Sequence, residues 1–293
     1  MKPLNWLALS LAALLLLPAF SAQAVDVGPD DYVPAPADTN ALLLYYRHAE
    51  SSHANLTTSA RSDNSGLTAD SGILRFIHYA DIAGMRMAPQ ILVPVAALHE
   101  TALNGAPLNQ PGGLGDIILA NVFWVENDPV NKRYLGITPY LWLPVGTYNA
   151  GDGLNIGENR WKANVQAGYD QGLDNDWSVA VTADVTWYGD NSEAGTGRQT
   201  LKQDPSFQLQ TWVRYDLTTE TRLAVGLSQT LGGKQTTDDD ANGFKTEVTQ
   251  ARLSMSQMLT PSFQAQGILT TDLRVNGGFQ EDYGAQLRLL KLF

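Results

Sequence analysis

The residues whose types could support hydrolysis cluster around residue 50. His48 and His53 flank Ser51 and Ser52, and Glu50 lies between them. A serine hydroxyl that a neighbouring histidine deprotonates is a common nucleophile of hydrolases, and such a site would suit a lipid hydrolase of the outer membrane. The spacing of these residues matches no catalytic motif, and a histidine in a surface loop is usually only solvated. We therefore predict no catalytic residues and keep a lipid hydrolase as the alternative.

Metal and cofactor sites find equally little support. The chain has four histidines and no cysteine, and no histidine pair has the spacing of a known metal site. The glycine-rich residues 112–115 lack the strand–helix setting of a phosphate-binding loop. A formal net charge of −11 without a basic tract also argues against nucleic acid as a partner. We predict no metal, no cofactor and no nucleic acid.

Residues 177–188 show which kind of element must position the polar residues. Alternate side chains from Trp177 to Trp187 are apolar, with only small and branched aliphatic residues between the two tryptophans. The other face is mostly polar, so the period is that of a β-strand. Ten residue steps of about 3.3 Å, tilted by about 40–45°, span about 24 Å, close to the apolar band of an outer-membrane barrel with its aromatic girdles. This pattern predicts a strand in a membrane wall.

Similar segments recur along the chain and are joined by connections that are long and short in alternation. The connection at 276–278 is the exception, because it is short where a long one is due. Short periplasmic turns and longer external loops are typical of outer-membrane barrels. We therefore predict an all-β fold, an antiparallel transmembrane β-barrel of about 12 strands. The predicted strands are 41–49, 73–82, 85–98, 115–126, 133–144, 160–173, 176–188, 206–217, 221–231, 245–259, 263–275 and 279–293.

Three regions are predicted along the chain. Residues 1–24 combine Lys2, an apolar run and a small-residue cleavage site, as a secretory signal peptide does. Residues 25–40, rich in proline and aspartate, predict an extended leader, and 41–293 form the barrel. Whether the leader enters the lumen stays open. So does the facing of the strands at 115–126 and 133–144, which are apolar on both faces, while Pro94 and Pro139 predict interruptions of the wall ladder.

The polar faces of the strands are expected to line a narrow, open lumen, because about 12 strands enclose less space than the 16–18 of a porin. Their charges either pair across strands and stiffen the wall, or stay unpaired and set charge selectivity. The polar motif at 155–161 is either a folded external loop or a constriction. The lumen-lining candidates are Arg86, Lys162, Asp170, Asp184, Tyr188, Trp212, Arg214, Asp216, Arg222, Asp272, Arg274, Asp282 and Arg288.

The apolar faces carry aromatic residues near the strand ends, where the membrane interfaces are expected. Phe293 ends the chain on a face shared with Tyr283 and Leu287, interrupted only by Lys291, which can snorkel. A terminal aromatic residue of this kind resembles the recognition signal of the outer-membrane assembly machinery. The aromatic-girdle candidates are Trp161, Tyr169, Trp177, Trp187, Phe207, Tyr215 and Phe293.

Ordered motifs also show a resemblance to a known family, from about Pro36 to Phe293. The motifs are PADTNALLLYYRHAES, GDIILANVFWVENDP, YLGITPYLWLPVGTY, LNIGENRWKANVQAGY, DVTWYGDN, LKQDPSFQLQTWVRYDLT and LRLLKLF. They resemble the outer-membrane channels of the "meta-pathway of phenol degradation" family, the phenol degradation-associated transporters. Asp38 stands where the family pattern has a glycine, which predicts a different bend at the start of the first strand.

The resemblance implies a monomeric twelve-stranded barrel in the bacterial outer membrane that passively admits small solutes, aromatic or hydrophobic ones among them. Its expected partners are outer-membrane lipid and lipopolysaccharide, the assembly machinery through Phe293, and the solutes. A barrel enzyme acting on lipids and a structural or adhesive barrel remain the alternatives. Conductance distinguishes a channel from both, and lipid hydrolysis distinguishes the enzyme from the structural barrel.

Overall fold

The computed structural model describes residues 26–57, 60–241 and 245–293, so the predicted signal peptide at 1–24 lies outside the described residues. Twelve long strands dominate this part of the chain. They are β1 (Asn40–Ser51), β2 (Gly66–His78), β3 (Met85–Leu103), β4 (Ile117–Asp128), β5 (Arg133–Leu143), β6 (Lys162–Gly172), β7 (Trp177–Tyr188), β8 (Ser206–Asp216), β9 (Thr221–Leu231), β10 (Glu247–Thr260), β11 (Phe263–Asn276) and β12 (Tyr283–Leu292).

Each long strand pairs antiparallel with its neighbours in the chain, and the ring closes between β12 and β1. Closure runs from the pair Ala41–Leu292 to the pair Glu50–Tyr283, so these twelve strands leave no free edge. The predicted all-β, antiparallel, twelve-stranded barrel is confirmed. Among the described residues, no helix has the length and apolar character needed to cross a membrane.

Side chains alternate between an apolar exterior and a polar interior, the reverse of a soluble sandwich. In β7, Val181 is 40% exposed on the outside, whereas Thr182 and Asp184 are buried inside. The same alternation runs through β6 and β8. An apolar outer face suits lipid, which offers no hydrogen bonds to a polar side chain.

The facing of β4 and β5, which the sequence left open, is now defined. Ile118 and Trp124 of β4 and Tyr140 and Trp142 of β5 point inward and are buried. Leu119, Val125 and Leu141 point outward and are exposed. These strands are apolar on both faces because the lumen wall is itself apolar and aromatic at this side of the barrel.

Each proline interrupts the ladder on one side of its strand, as predicted, whereas pairing on the other side continues through Ile73–Pro94 and Pro139–Val165. Between β3 and β4 the register stops at Leu92–Ile118, and beyond Pro94 the strand pairs instead with the short strand Gly112–Leu114. Between β4 and β5 the pairing stops after Ile137–Phe123 and resumes at Tyr140–Ala120, so that Pro139 has no partner in β4. Proline lacks the N–H that the ladder needs, which accounts for both gaps.

The second, third and last predicted strands differ most from the structure, and the third ends at Leu103 rather than at 98. The second strand extends from Gly66 to His78 rather than over 73–82, and a separate strand, Ala80–Ile82, forms a tight hairpin with the start of β3. The last strand starts at Tyr283 rather than 279, because Gly278–Gln280 pairs with the strand His53–Thr57 of another loop. Because of this pairing with a distant loop, the connection before β12 is longer than its sequence indicated.

The long connections lie together at one end of the barrel, which we take as the extracellular end. Two of them supply a four-stranded sheet and two supply a three-stranded sheet above the wall. The ten short strands among the described residues are His53–Thr57, Ala60–Ser62, Ala80–Ile82, Ala106–Pro107, Gly112–Leu114, Asn191–Ala194, Gln199–Gln203, Gln235–Thr237, Asp240–Ala241 and Gly278–Gln280.

Asp38, two residues before β1, has a φ of 62°. This is the left-handed region that glycine enters without steric cost and that aspartate tolerates better than most residues. The backbone bend therefore has the conformation of a glycine although aspartate occupies the position.

Candidate functional site

The leader runs inside the lumen, in the half that faces the periplasm. Val27 and Tyr32 are buried there. The indole N–H of Trp212 donates to the carbonyl of Val27, and that of Trp124 donates to the carbonyl of Tyr32, both at 2.9 Å. The Tyr32 hydroxyl donates to Gln166 at 3.0 Å. The leader, rather than open water, therefore fills this level of the lumen, contrary to the expected open channel.

The leader brings two aspartates to four arginines of the wall. Asp30 meets Arg222 and, at 3.2 Å, Arg214. Arg214 and Arg222 also have wall partners, Asp170 at 2.5 Å and Asp216 respectively. The other two arginines, Arg75 and Arg288, pair with Asp31 of the leader at 3.3 and 2.8 Å.

The wall charges keep the leader ionised. Burial raises the pKa of Asp30, but the guanidinium groups of Arg222, Arg214 and Arg288 outweigh burial and lower that pKa below its ordinary value. An ionised, hydrogen-bonded carboxylate among guanidinium groups binds strongly. Asp30 therefore anchors the leader electrostatically at neutral pH.

A cavity of about 310 Å³ remains between the leader and the wall at the periplasmic mouth. Arg75, Arg222 and Arg288 line it together with the leader aspartates. An apolar part of the lining comes from Leu43, Ile77, Tyr79, Leu290 and Leu292 of the wall and from Val33 and Pro34 of the leader. A polar part comes from Asp216, Thr218, Thr219, Glu220, Thr221, Ser256 and Gln264. The cavity thus combines a charged side with an apolar side.

At the opposite end, the connection 144–161 folds inward. Leu154 and Ile156 pack with Leu67, Leu98 and Leu103 in an apolar cluster. The polar motif at 155–161 is therefore both a folded loop and a part of the lumen filling, since Asn155, Glu158 and Arg160 of this motif are buried as well. The two roles that the sequence offers as alternatives are thus combined in one segment.

Glu158 is the centre of a buried ion cluster in this loop. Arg160 donates to it at 2.7 Å and Lys162 pairs with its other oxygen. Burial raises the pKa of Glu158, but Lys162 and Arg160 outweigh burial and lower that pKa to about 2. The cluster therefore stays ionised at neutral pH and fixes the loop to the wall.

Aromatic residues of the wall lie beside these cations. The Lys162 ammonium lies 5.0 Å from the centre of the Trp142 ring, and the Arg160 guanidinium lies 4.6 Å from that of Tyr188. Trp142 and Tyr140 have ring centres 6.0 Å apart and form a buried cluster with Leu92 and Ile118. One side of the lumen is therefore apolar and aromatic, whereas the β6–β8 side carries amides, hydroxyls and carboxylates.

Most of the lumen candidates point inward. Lys162, Asp170, Asp184, Trp212, Arg214, Asp272 and Arg288 are buried, and Arg86, Tyr188, Asp216 and Arg222 are partly buried near the strand ends. Arg86 lies at the periplasmic end and contacts Asp81 and the leader carbonyl of Ala35. Tyr188 and Arg214 lie at opposite ends of the wall. Tyr188 is the last residue of β7, whereas Arg214 of β8 pairs with Ser178 near the start of β7.

Two lumen candidates were wrong. A register shift in the β10–β11 pairing breaks the alternation, so Arg274 is exposed whereas Val275 is buried. Asp282 lies in the connection before β12, where its carboxylate accepts a hydrogen bond from the Ser52 amide at 2.7 Å. Its side chain is 37% exposed, so it belongs to the external rim rather than to the lumen wall.

The girdle candidates lie on the outer face near the strand ends. Trp161, Trp187 and Phe207 lie at the extracellular side of adjacent strands. Trp177 and Tyr215 face each other at the periplasmic side with ring centres 4.8 Å apart. Tyr169 lies further along β6, and Phe293 follows the end of β12.

Three further arginines, Arg47, Arg75 and Arg252, also face the lumen but were not among the predicted residues. Arg252 belongs to the inward series Gln250, Arg252 and Ser254, so its alternation carried a usable signal. Arg75 stands between the inward residues Ile73 and Ile77, so its face looks apolar and indicated nothing.

The histidines do not form a hydrolase site with the neighbouring serines. The ring nitrogens of His48 meet Asp70 at 2.9 Å and Glu50 at 3.1 Å, on the outer face of the barrel. His53 contacts Gln280. Because both nitrogens of His48 face carboxylates, none is directed at a serine hydroxyl. Among the described residues, no group of three or more acidic, histidine or cysteine side chains could hold a metal ion.

Comparisons with known proteins agree with this architecture. An outer membrane channel from Pseudomonas putida F1, known from a crystal structure, is 32% identical, with a TM-score of 0.87 over 92% of this chain and 100% of that chain. The β domain of the Bordetella autotransporter BrkA (11% identity, TM-score 0.54, 88% and 100% covered) shares the fold alone. So does the transport unit of the autotransporter AIDA-I from Escherichia coli (9%, 0.54, 93% and 94%).

The family comparison is more specific. No curated protein matches the chain. Residues 50–289 match the model of the family described as "Putative MetA-pathway of phenol degradation". With that match and the relationship to the Pseudomonas channel, the chain belongs to this phenol-degradation family of bacterial outer-membrane channels.

Proposed function

We propose that this protein is a passive channel, and not an enzyme, for small solutes with an aromatic or apolar body. The observation that carries the proposal is the apolar, aromatic side of the lumen formed by Leu92, Ile118, Tyr140 and Trp142. Water-filled channels for polar solutes have no need of such a wall. Flat solutes can stack on it while the polar side of the lumen binds their polar groups.

Weak contacts suit transport better than tight binding. A solute must leave the channel as well as enter it, so several modest interactions along the path support flux. The leader and the connection 144–161 fill the lumen, so a solute passes only when these segments shift. The ring of strands closes within one chain, which supports a monomeric channel in outer-membrane lipid.

The test is uptake into liposomes that contain the purified protein, with phenylalanine and glutamine as matched zwitterionic solutes. We expect phenylalanine to enter faster than glutamine, because only its side chain stacks on Trp142 and Tyr140. Trp142→Ala should reduce this preference. The matched control, Trp187→Ala, changes a tryptophan that is 46% exposed on the outer face and should leave the preference unchanged.

Three outcomes contradict the proposal. Equal uptake of the two solutes contradicts an aromatic preference. Absence of uptake together with release of fatty acid from the liposome lipid would support the lipid enzyme instead, and absence of both activities would support a structural barrel.

A further inference from the structure

We propose that Arg75 and Arg288 form a binding site for a carboxylate with a compact apolar body, which Asp31 of the leader fills in this structure. This inference rests on the proposed channel function and assigns one chemical class of solute to it. It follows from how the two arginines are held, how they are neutralised and what surrounds them.

Neutral groups of the wall hold both arginines in place. Arg75 donates from Nε to Gln90 at 2.6 Å and from one terminal nitrogen to the Tyr45 hydroxyl at 3.1 Å. Arg288 donates to Gln264 at 3.0 Å. The two side chains are 9% and 3% exposed. Two buried guanidinium groups are thus positioned without any carboxylate from the wall.

The leader alone supplies their negative charge. One oxygen of Asp31 accepts from Arg288 at 2.8 Å and the other accepts from Arg75 at 3.3 Å. Within the described part of the chain, Asp31 is the sole carboxylate paired with either arginine. Arg214 and Arg222 differ, because Asp170 and Asp216 of the wall neutralise them.

Buried guanidinium groups without a counter-charge are energetically costly. When the leader shifts and withdraws Asp31, binding of another anion between Arg75 and Arg288 is therefore favourable. A carboxylate that bridges two guanidinium groups satisfies their geometry well. Arg288 has a further buried donor, Nε, without a partner among the described residues. A solute carboxylate placed slightly differently from Asp31 could reach that donor.

The adjoining cavity defines the rest of the ligand. Its volume of about 310 Å³ is at the lower end of the range of about 300–1,000 Å³ for small-molecule pockets. Leu43, Ile77, Leu290 and Leu292 supply its apolar side next to the arginines. The site therefore suits a monocarboxylate with a small apolar group, of which benzoate is a convenient probe.

The test is equilibrium binding of benzoate to the full mature chain in lipid nanodiscs, for wild type and for Asp31→Asn. Removing the competing charge of the leader should tighten benzoate binding by about tenfold or more, since about 1.4 kcal/mol corresponds to a factor of ten. Benzamide has the same shape without the charge and should gain nothing. Acetate, which lacks the apolar body, should bind more weakly than benzoate.

A matched control is available in the same leader. Asp26 pairs with Arg252 at 2.7 Å, but Arg252 does not line the cavity. Asp26→Asn makes the same chemical change and should leave benzoate affinity unchanged. In the Asp31→Asn background, Arg288→Gln should remove the gain, and Arg75→Gln serves the same purpose if the first variant does not fold.

The inference is overturned if Asp31→Asn binds benzoate no better than wild type, if benzamide gains as much, or if Asp26→Asn gains equally. These failures differ from failure of the proposed function, which would appear as equal uptake of phenylalanine and glutamine. If uptake favours phenylalanine but Asp31→Asn does not gain benzoate affinity, the carboxylate site is rejected and the proposed channel function stands.

Discussion

Gly168 and Gly136 leave space in the wall for the Tyr32 ring of the leader, and Gly168 is the tighter of the two. A Cβ built on Gly168 would lie 2.2 Å from ring atoms of Tyr32. We predict that Gly168→Ala displaces Tyr32 and raises single-channel conductance, because the leader then packs poorly in the lumen. Gly267→Ala is the control, since a Cβ there meets no atom within 4 Å. Unchanged conductance in Gly168→Ala would show that Tyr32 does not obstruct ion flow.

Glu158 makes barrel stability depend on pH. Its pKa falls from 4.5 to about 2 on folding, so the unfolded chain binds the proton more readily than the folded chain. The stabilisation is therefore complete above about pH 4.5, amounts to about 3 kcal/mol at most, and is lost as the pH falls towards 2.

Glu158→Gln should reduce stability at pH 7 by about 3–5 kcal/mol, because it leaves Arg160 and Lys162 without their buried partner. It should also flatten the pH dependence below pH 4.5. Folded and unfolded protein run as separate bands on a gel, so the urea concentration at which half of the protein is unfolded can be read from the bands. Measuring this midpoint from pH 7 to pH 2.5 tests both effects. Glu193→Gln, at an exposed position, should follow wild type, and the same behaviour in Glu158→Gln would contradict the role of the buried cluster.

Individual charges were predictable where their strand had a polar inward face. Asp170, Asp184 and Arg214 followed from alternation alone, whereas Arg75 was hidden by the apolar residues that share its face. How the charges pair was not predictable, because Asp30 and Asp31 reach wall arginines that are 44 to 257 residues away in sequence. Pairing of this kind depends on the closed fold.

At the scale of the element, β7 tests the membrane wall. Val181 is 40% exposed on the outer face, midway between Trp177 and Trp187. We predict that Val181→Arg costs about 2–4 kcal/mol of barrel stability, because the charge then lies near the middle of the bilayer. Unfolding by urea in liposomes measures this cost.

Leu217→Arg provides the control for depth. Leu217 is also exposed but lies in the periplasmic turn after β8, where a charge costs only about 0–1 kcal/mol because it reaches water. Equal costs for the two variants would mean that the outer face of β7 does not cross the apolar part of the membrane.

Alternation predicted the strands well because lipid and lumen impose opposite polarity on successive residues. It failed where the period itself breaks. The register shift in the β10–β11 pairing turned Arg274 outward, and an extra pairing between two loops took Gly278–Gln280 out of the last strand. Both effects arise from neighbouring strands, so the sequence of one segment does not contain them.

At the scale of the whole molecule, the leader could not be placed from sequence. It forms no strand, and its contacts with the wall use single side chains such as Trp124, Trp212 and Arg214. An extended segment rich in proline and aspartate has no period that indicates a facing. Only the closed barrel shows that this segment supplies both a filling for the lumen and its counter-charges.

The leader aspartates should therefore control the ion selectivity of the channel. Asp26 pairs with Arg252, and Asp31 pairs with Arg75 and Arg288. Replacing Asp26, Asp30 and Asp31 together by asparagine leaves these three arginines without a carboxylate, while Arg214 and Arg222 retain their partners in the wall. We predict a shift of the reversal potential towards anions in a salt gradient across a planar bilayer, because unpaired charges in a narrow pore attract counter-ions.

The same change at Asp63, Asp174 and Asp176, which are exposed outside the strands, alters net charge equally and should leave the reversal potential near that of wild type. Equal shifts in the two triple variants would mean that selectivity depends on overall charge rather than on the leader inside the lumen.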